Sequence, residues 1–199
     1  MVDGMRISAM TCAIFFAMPM FGGERVTVSV CTRGRLDPRV ELGAEAAAAA
    51  LFRSMDIEIV WAKCEAGLEG DDAVQQHSFT LRFRDGRPFI RPAAGNDTLG
   101  EAFLQADEGG FIVEVYYQAV KTLAADKGAE LTTLLGFVMA HELGHLLLGP
   151  GHAAHGVMRA AWDRTDLEAI RRGCMKFSAL EAAGMRRVLQ TTVQAQRVK

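Results

Sequence analysis

Proline is scarce in this chain, five in 199 residues, and no period or low-complexity tract appears, which excludes repeat architectures and Pro-rich linkers. Charge of one sign is also lacking. The formal balance is −2, with no basic tract and no interleaving of basic and aromatic residues, so the electrostatic footprint of a nucleic-acid binder is absent. Of four cysteines, none has the C-x-x-C spacing of a zinc ribbon or a redox motif. What remains is a chain half apolar and long enough to bury a core as one domain. Histidine is rare too, and four of the five fall between His141 and His155.

That cluster begins with His141-Glu142-Leu143-Gly144-His145. Leu131, Leu134, Leu135, Val138, Met139, Leu143 and Leu146 recur at three- and four-residue steps, so Glu130 to Leu148 reads as a largely buried helix. On such a helix, histidines four apart share a face about one turn apart and can converge on one small cation. Glu142, one position on, is offset around the helix and reaches a metal-bound water without being a ligand. Burying two imidazoles and a carboxylate unpaired costs several kcal/mol, which a bound metal offsets. A chance H-E-x-x-H in an unrelated helix is the plain alternative, and the residues that follow weigh against it.

Gly149-Pro150-Gly151 ends the helix, since proline cannot continue it and glycine permits a left-handed exit. The stop matters. In a continued helix, His152 would stand about 10 Å along the axis from His145, too far for a shared site with ligands about 2.0–2.1 Å from zinc. A bend directly before His152 brings it back, and three neutral histidines leave a fourth position open, the catalytic rather than the structural arrangement. His155 is the rival third ligand, and local geometry excludes neither. His77 sits in a polar run, Gln75-Gln76-His77-Ser78, and receives no role.

His141-Glu142-x-x-His145, a helix-ending Gly149, His152 and Met158 together resemble the metzincin clan of zinc peptidases. The spacing departs by one residue, H-E-x-x-H-x-x-x-G-x-x-H, because Gly149 comes four residues after His145; the step from Gly149 to His152 is kept. The run from Leu134 to Trp162 also resembles small exported bacterial proteins with a metzincin-like signature. The resemblance implies zinc held by His141, His145 and His152, and it favours His152 over His155. It implies Met158 as a packing residue beneath the ligands, in a methionine turn. It further implies a zinc-dependent endopeptidase in which Glu142 is the general base for a zinc-activated water. Tyr116, Tyr117 and His155 are candidates, on chemistry alone, to assist the oxyanion. Two other classes stay open: a zinc protein that binds peptide without cleaving it, which has no need of Glu142, and a zinc hydrolase acting on a non-peptide amide.

The amino terminus differs in kind. After Arg6, residues 7–21 are almost wholly apolar, short for a membrane span of about 20 residues and suited to a signal-peptide core. Residues 1–23 are therefore expected to be a signal peptide, with a weak cleavage signal, and the mature protein to be secreted or periplasmic. A buried strand is the alternative. No sizeable pro-segment is expected before the first strand. Cys31 and Cys64 close two expected strands and would be joined in an exported protein; buried free thiols are the equal alternative. The expected partners are a peptide or protein substrate, with no nucleic acid and no stable membrane insertion.

Strands are expected at Val26–Cys31, Ile57–Ala62, Phe79–Arg84, Leu99–Leu104 and Phe111–Val115. Helices are expected after the Asp37 cap with Pro38 at the first position, at Tyr117–Ala125, along the histidine helix, at Thr165–Arg172, and from a Ser178/Glu181 capping box to Gln190. Together with the resemblance this gives an α/β (α+β) metzincin-like fold, with a twisted, mostly parallel sheet and Leu99–Leu104 as its antiparallel edge. A single catalytic domain is expected over residues 24–190, its upper part 24–149 and its lower part 150–190, followed by a polar tail, 191–199.

Overall fold

In strand β1 (Glu24–Cys31), Val26, Val28 and Val30 alternate with half-buried polar residues, so one face of a sheet is apolar from its first strand. The computed structural model describes residues 23–32, 36–64, 78–85, 98–105 and 110–197; the apolar stretch 7–21, Cys12 and His77 lie outside the described residues. Helix α1 (Pro38–Arg53) starts where Asp37 accepts a hydrogen bond from the Arg39 N–H, with proline at the first turn. It crosses to β2 (Ile57–Lys63), parallel to β1. β3 (Ser78–Arg84) joins the other side of β1, again parallel, and β5 (Gly110–Tyr116) extends the sheet from β3. β4 (Gly100–Gln105) pairs with β5 antiparallel and forms the edge of the order β2-β1-β3-β5-β4. The expected mostly parallel sheet with one antiparallel edge is thus present, with strand ends shifted by a residue or two.

Phe79, Leu81, Val113 and Val115 continue the buried face begun by β1. Against it pack α1 and the central helix α3 (Leu131–Leu148), while α2 (Tyr117–Lys127), α4 (Arg164–Arg171) and α5 (Ala179–Arg197) pack on α3. The alanines of α1 let α3 come close. A methyl at Gly136 would stand 2.6 Å from the Ala47 Cβ and 2.7 Å from the Ala44 carbonyl oxygen. By length and composition α3 is apolar enough to cross a membrane, at a mean hydropathy of 1.4, but here it is the buried centre of the fold. Its N-cap, Glu130, accepts from the amides of Thr132 and Thr133, and the Ser178/Glu181 capping box opens α5 as expected.

Cys31 and Cys64 form a disulfide. The parallel register sets Val30 opposite Lys63, so the two cysteines leave β1 and β2 side by side with Cα atoms 5.0 Å apart. Cys174 is free and exposed. Closing a loop with a sequence separation of 33 removes conformational freedom from the unfolded chain; by the loop-entropy relation this contributes about 3–4 kcal/mol. Replacing both cysteines by serine should lower the unfolding free energy in denaturant titrations by about that amount, and an unchanged midpoint would mean the bridge does not form in solution.

Candidate metal centre

The site is built by α3 and the loop that follows it. His141, Glu142 and His145 occupy its last two turns and are 8%, 6% and 8% exposed. Gly149 then leaves the helix with φ of 87°, in the left-handed region, and its N–H still donates to the His145 carbonyl at 2.9 Å. The chain turns back at once, and His152 arrives beside the helix. One ring nitrogen from each of His141, His145 and His152 lies within 4.8 Å of the others, and together they can hold a metal ion. For comparison, nitrogens placed tetrahedrally at about 2.0–2.1 Å from zinc are roughly 3.3–3.4 Å apart.

Backbone carbonyls decide which nitrogens face inward. The His141 Nδ1 lies 2.7 Å from the Val157 carbonyl oxygen, and the His145 Nδ1 lies 2.9 Å from that of Gly149. A carbonyl can only accept, so both Nδ1 atoms carry the proton and donate it. In the neutral rings each Nε2 is then a bare lone pair, and the two Nε2 atoms stand 3.0 Å apart. Protonating one would relieve their repulsion, but burial above all opposes this. It holds His141 down at about 4, with the charges of His145 and His152 adding and the Val157 carbonyl acting the other way. Burial likewise lowers His152, with His145 contributing. The donor set fits a dication that accepts neutral nitrogen ligands.

Met158 is buried against the histidine helix, 1% exposed. Gly144 makes room for it: a methyl there would meet the Met158 Sδ at 2.5 Å and the Phe177 ring at 3.3 Å. The same turn holds the histidine loop, because the Ala153 N–H donates to the Met158 carbonyl at 2.8 Å. The Val157 N–H in turn donates to the Lys176 carbonyl at 3.2 Å. Arg159 ties the turn to α4, pairing with the N-cap Asp163 at 2.7 Å and with Asp166. Trp162 stands edge-on to His141, with ring centroids 5.9 Å apart.

Glu142 faces the edge strand. Burial, with repulsion from Glu101 on β4 adding, pushes its carboxyl up to about 8. His155 lies on the exposed loop and is not among the three clustered histidines. Tyr116 ends β5 and Tyr117 starts α2, both buried. Among the site's parts, the positioning carbonyls of Val157 and Gly149, the space above Met158 and the Trp162 wall were not read from the sequence. A glycine inside an otherwise apolar helix was the one available signal, at Gly144.

No family model and no curated protein sequence matches this chain. Among solved structures, the crystal structure of archaemetzincin from Methanopyrus kandleri is similar, at 14% identity and a TM-score of 0.49 over 87% of this chain and 99% of that one. Likeness at that level carries no function across; the chemistry has to come from this chain's own residues.

The buried histidine makes stability depend on pH. With its folded value at about 4 against 6.5 unfolded, His141 takes up its proton more readily in the unfolded chain. The unfolded state therefore binds more protons between those values, and stability is kept above pH 6.5 and lost as pH falls toward 4. The loss is roughly 3 kcal/mol at full extent. Denaturant melts of chelator-treated protein across that window should show the drop, and a His141→Asn variant should lack most of it. An equal drop in both would mean that His141 is not the group responsible.

Proposed function

We propose that the chain is a zinc-dependent hydrolase and, within that class, an endopeptidase, with His141, His145 and His152 as ligands and Glu142 as the general base. The observation that carries this reading is the pair of Nε2 lone pairs held 3.0 Å apart in a buried site by protonated Nδ1 atoms. Two acceptors face each other there with no donor between them, an arrangement that a cation stabilises. A bound zinc ion would polarise the scissile carbonyl and make water a competent nucleophile near neutral pH. The chain's own part is then to hold His141 and His145 in one tautomer, to bring His152 beside them, and to take a proton on the Glu142 carboxylate for delivery to the leaving amine. Burial, with Glu101 adding, raises the Glu142 carboxyl in the chain itself, and a bound dication would act the other way and favour the carboxylate that accepts the proton.

Peptide as substrate is supported by the sheet. β4 is the edge of the sheet and packs beside α3, so an extended chain adding to its outer side would lie along the site. Export is part of the same proposal. Its support is the Cys31–Cys64 bridge, of a kind that persists in oxidising compartments, together with the apolar stretch after Arg6.

His152→Ala should lose most bound zinc in metal analysis of the purified protein, whereas His155→Ala should retain it. The opposite pattern would make His155 the third ligand.

Glu142→Gln preserves shape and removes the base, so the folded protein should keep its zinc while cleavage of unfolded polypeptide falls by a factor on the order of 10²–10⁴. Loss of zinc in that variant would make Glu142 a ligand. Wild-type, zinc-loaded protein that binds peptides but cleaves none in a diverse library would turn the reading toward a binding protein. Hydrolysis confined to non-peptide amides would replace peptide as the substrate.

A further inference from the structure

Gly100 opens the edge strand, a setting where glycine has no packing side chain and the sheet gains nothing from it. Nor is it needed for an unusual backbone angle, because the left-handed glycines of the described chain are Gly128, Gly149, Gly156 and Gly173. Space is what it provides. A methyl at position 100 would stand 2.6 Å from the Glu142 Cγ, 2.8 Å from the Glu142 Oε1 and 2.9 Å from the Glu114 carbonyl oxygen. The carboxylate arm of Glu142 therefore rests directly against the backbone of β4.

The strand is the fixed partner in this contact. Gly100 lies opposite Val115 in the antiparallel register, and the Tyr116 N–H donates to the Leu99 carbonyl at 2.9 Å. Moving β4 off its neighbour would break that pairing at the sheet edge. Turning the Glu142 side chain about its own bonds costs far less. A methyl at position 100 would press hardest on the Glu142 arm and displace the carboxylate, while the Glu114 carbonyl oxygen at 2.9 Å would add a smaller strain that does not depend on Glu142.

We infer that Gly100 is a positioning residue: its missing side chain lets β4 serve as the wall that sets where the Glu142 carboxylate stands beside the three histidines. The inference rests on the hydrolase reading for its catalytic consequence, though not for the contact itself. Position 100 then sets how far the base is held from the reacting atoms without touching substrate through a side chain. It also couples the base to the strand on which an extended peptide would lie.

Gly100→Ala tests this in two independent arms. In the zinc-loaded protein kcat should fall about 100-fold, the scale expected for a displacement of about 1 Å, with KM and zinc content unchanged. A rise in KM with kcat preserved would overturn the inference, since it would report damage to a peptide-binding edge instead. The second arm needs no activity. Thermal unfolding of the metal-free protein should show that Gly100→Ala lowers the Tm of wild type clearly more than it lowers that of a Glu142→Ala background, where the obstructing Cγ and Oε1 are gone and only the Glu114 carbonyl remains. An equal loss in both backgrounds, or failure of both to fold, would place the clash with the Glu114 carbonyl and overturn the inference. Should wild type hydrolyse nothing at all, the hydrolase reading falls, and the Tm cycle alone still decides whether Gly100 positions Glu142.

Discussion

Two buried imidazoles, each donating its Nδ1 proton to a backbone carbonyl, leave two lone pairs facing each other at 3.0 Å. The rest of the structure is arranged around that constraint. Burial discourages the proton that would relieve it, and the carbonyls prevent either ring from flipping to offer an N–H instead. One of those carbonyls belongs to Gly149, at the helix end, and the other to Val157, next in the chain to Met158. The same residues that end the helix and fold the loop back therefore also fix the tautomers of the histidines they bring together. Local chain geometry and site electrostatics are one design here.

Rigidity comes from close approach. α3 is seated on the alanines of α1 through Gly136, presents Gly144 to Met158, and brings Glu142 against Gly100 of the edge strand. Each contact removes a side chain so that a helix, a sulfur or a carboxylate can sit nearer than a methyl would allow. A tightly packed interior has few alternative arrangements, and side chains seated in it have little room to wander. The disulfide between the ends of β1 and β2 closes the other side of the same sheet.

Much of this was legible in the sequence because its signals are local. Period-two valines marked β1, the Asp37-Pro38 pair marked the start of α1, and apolar residues recurring at three- and four-residue steps from Leu131 to Leu146 marked a buried helix. The bend at Gly149 followed from the Gly149-Pro150-Gly151 stop, with chain reach and ligand distance giving the reason for it. What the sequence withheld depends on residues far apart in the chain. Glu41 and Glu45 of α1 are buried, and Lys63, at the end of β2, pairs with both. Glu101, on the edge strand, sits near enough to Glu142 to help raise its carboxyl. The Cys31–Cys64 bridge needed the register of two parallel strands, which composition does not specify. Gly100 carried no signal of its own, since its meaning lies in a side chain 42 positions away.

The central claim is that three neutral imidazoles converge on one ion and leave a position for a light ligand. X-ray absorption at the zinc edge of the fully loaded protein measures this directly. The account predicts three imidazole nitrogens and one further oxygen or nitrogen, at about 2.0–2.1 Å. A sulfur ligand at about 2.3 Å, or only two imidazoles in the fit, would contradict it.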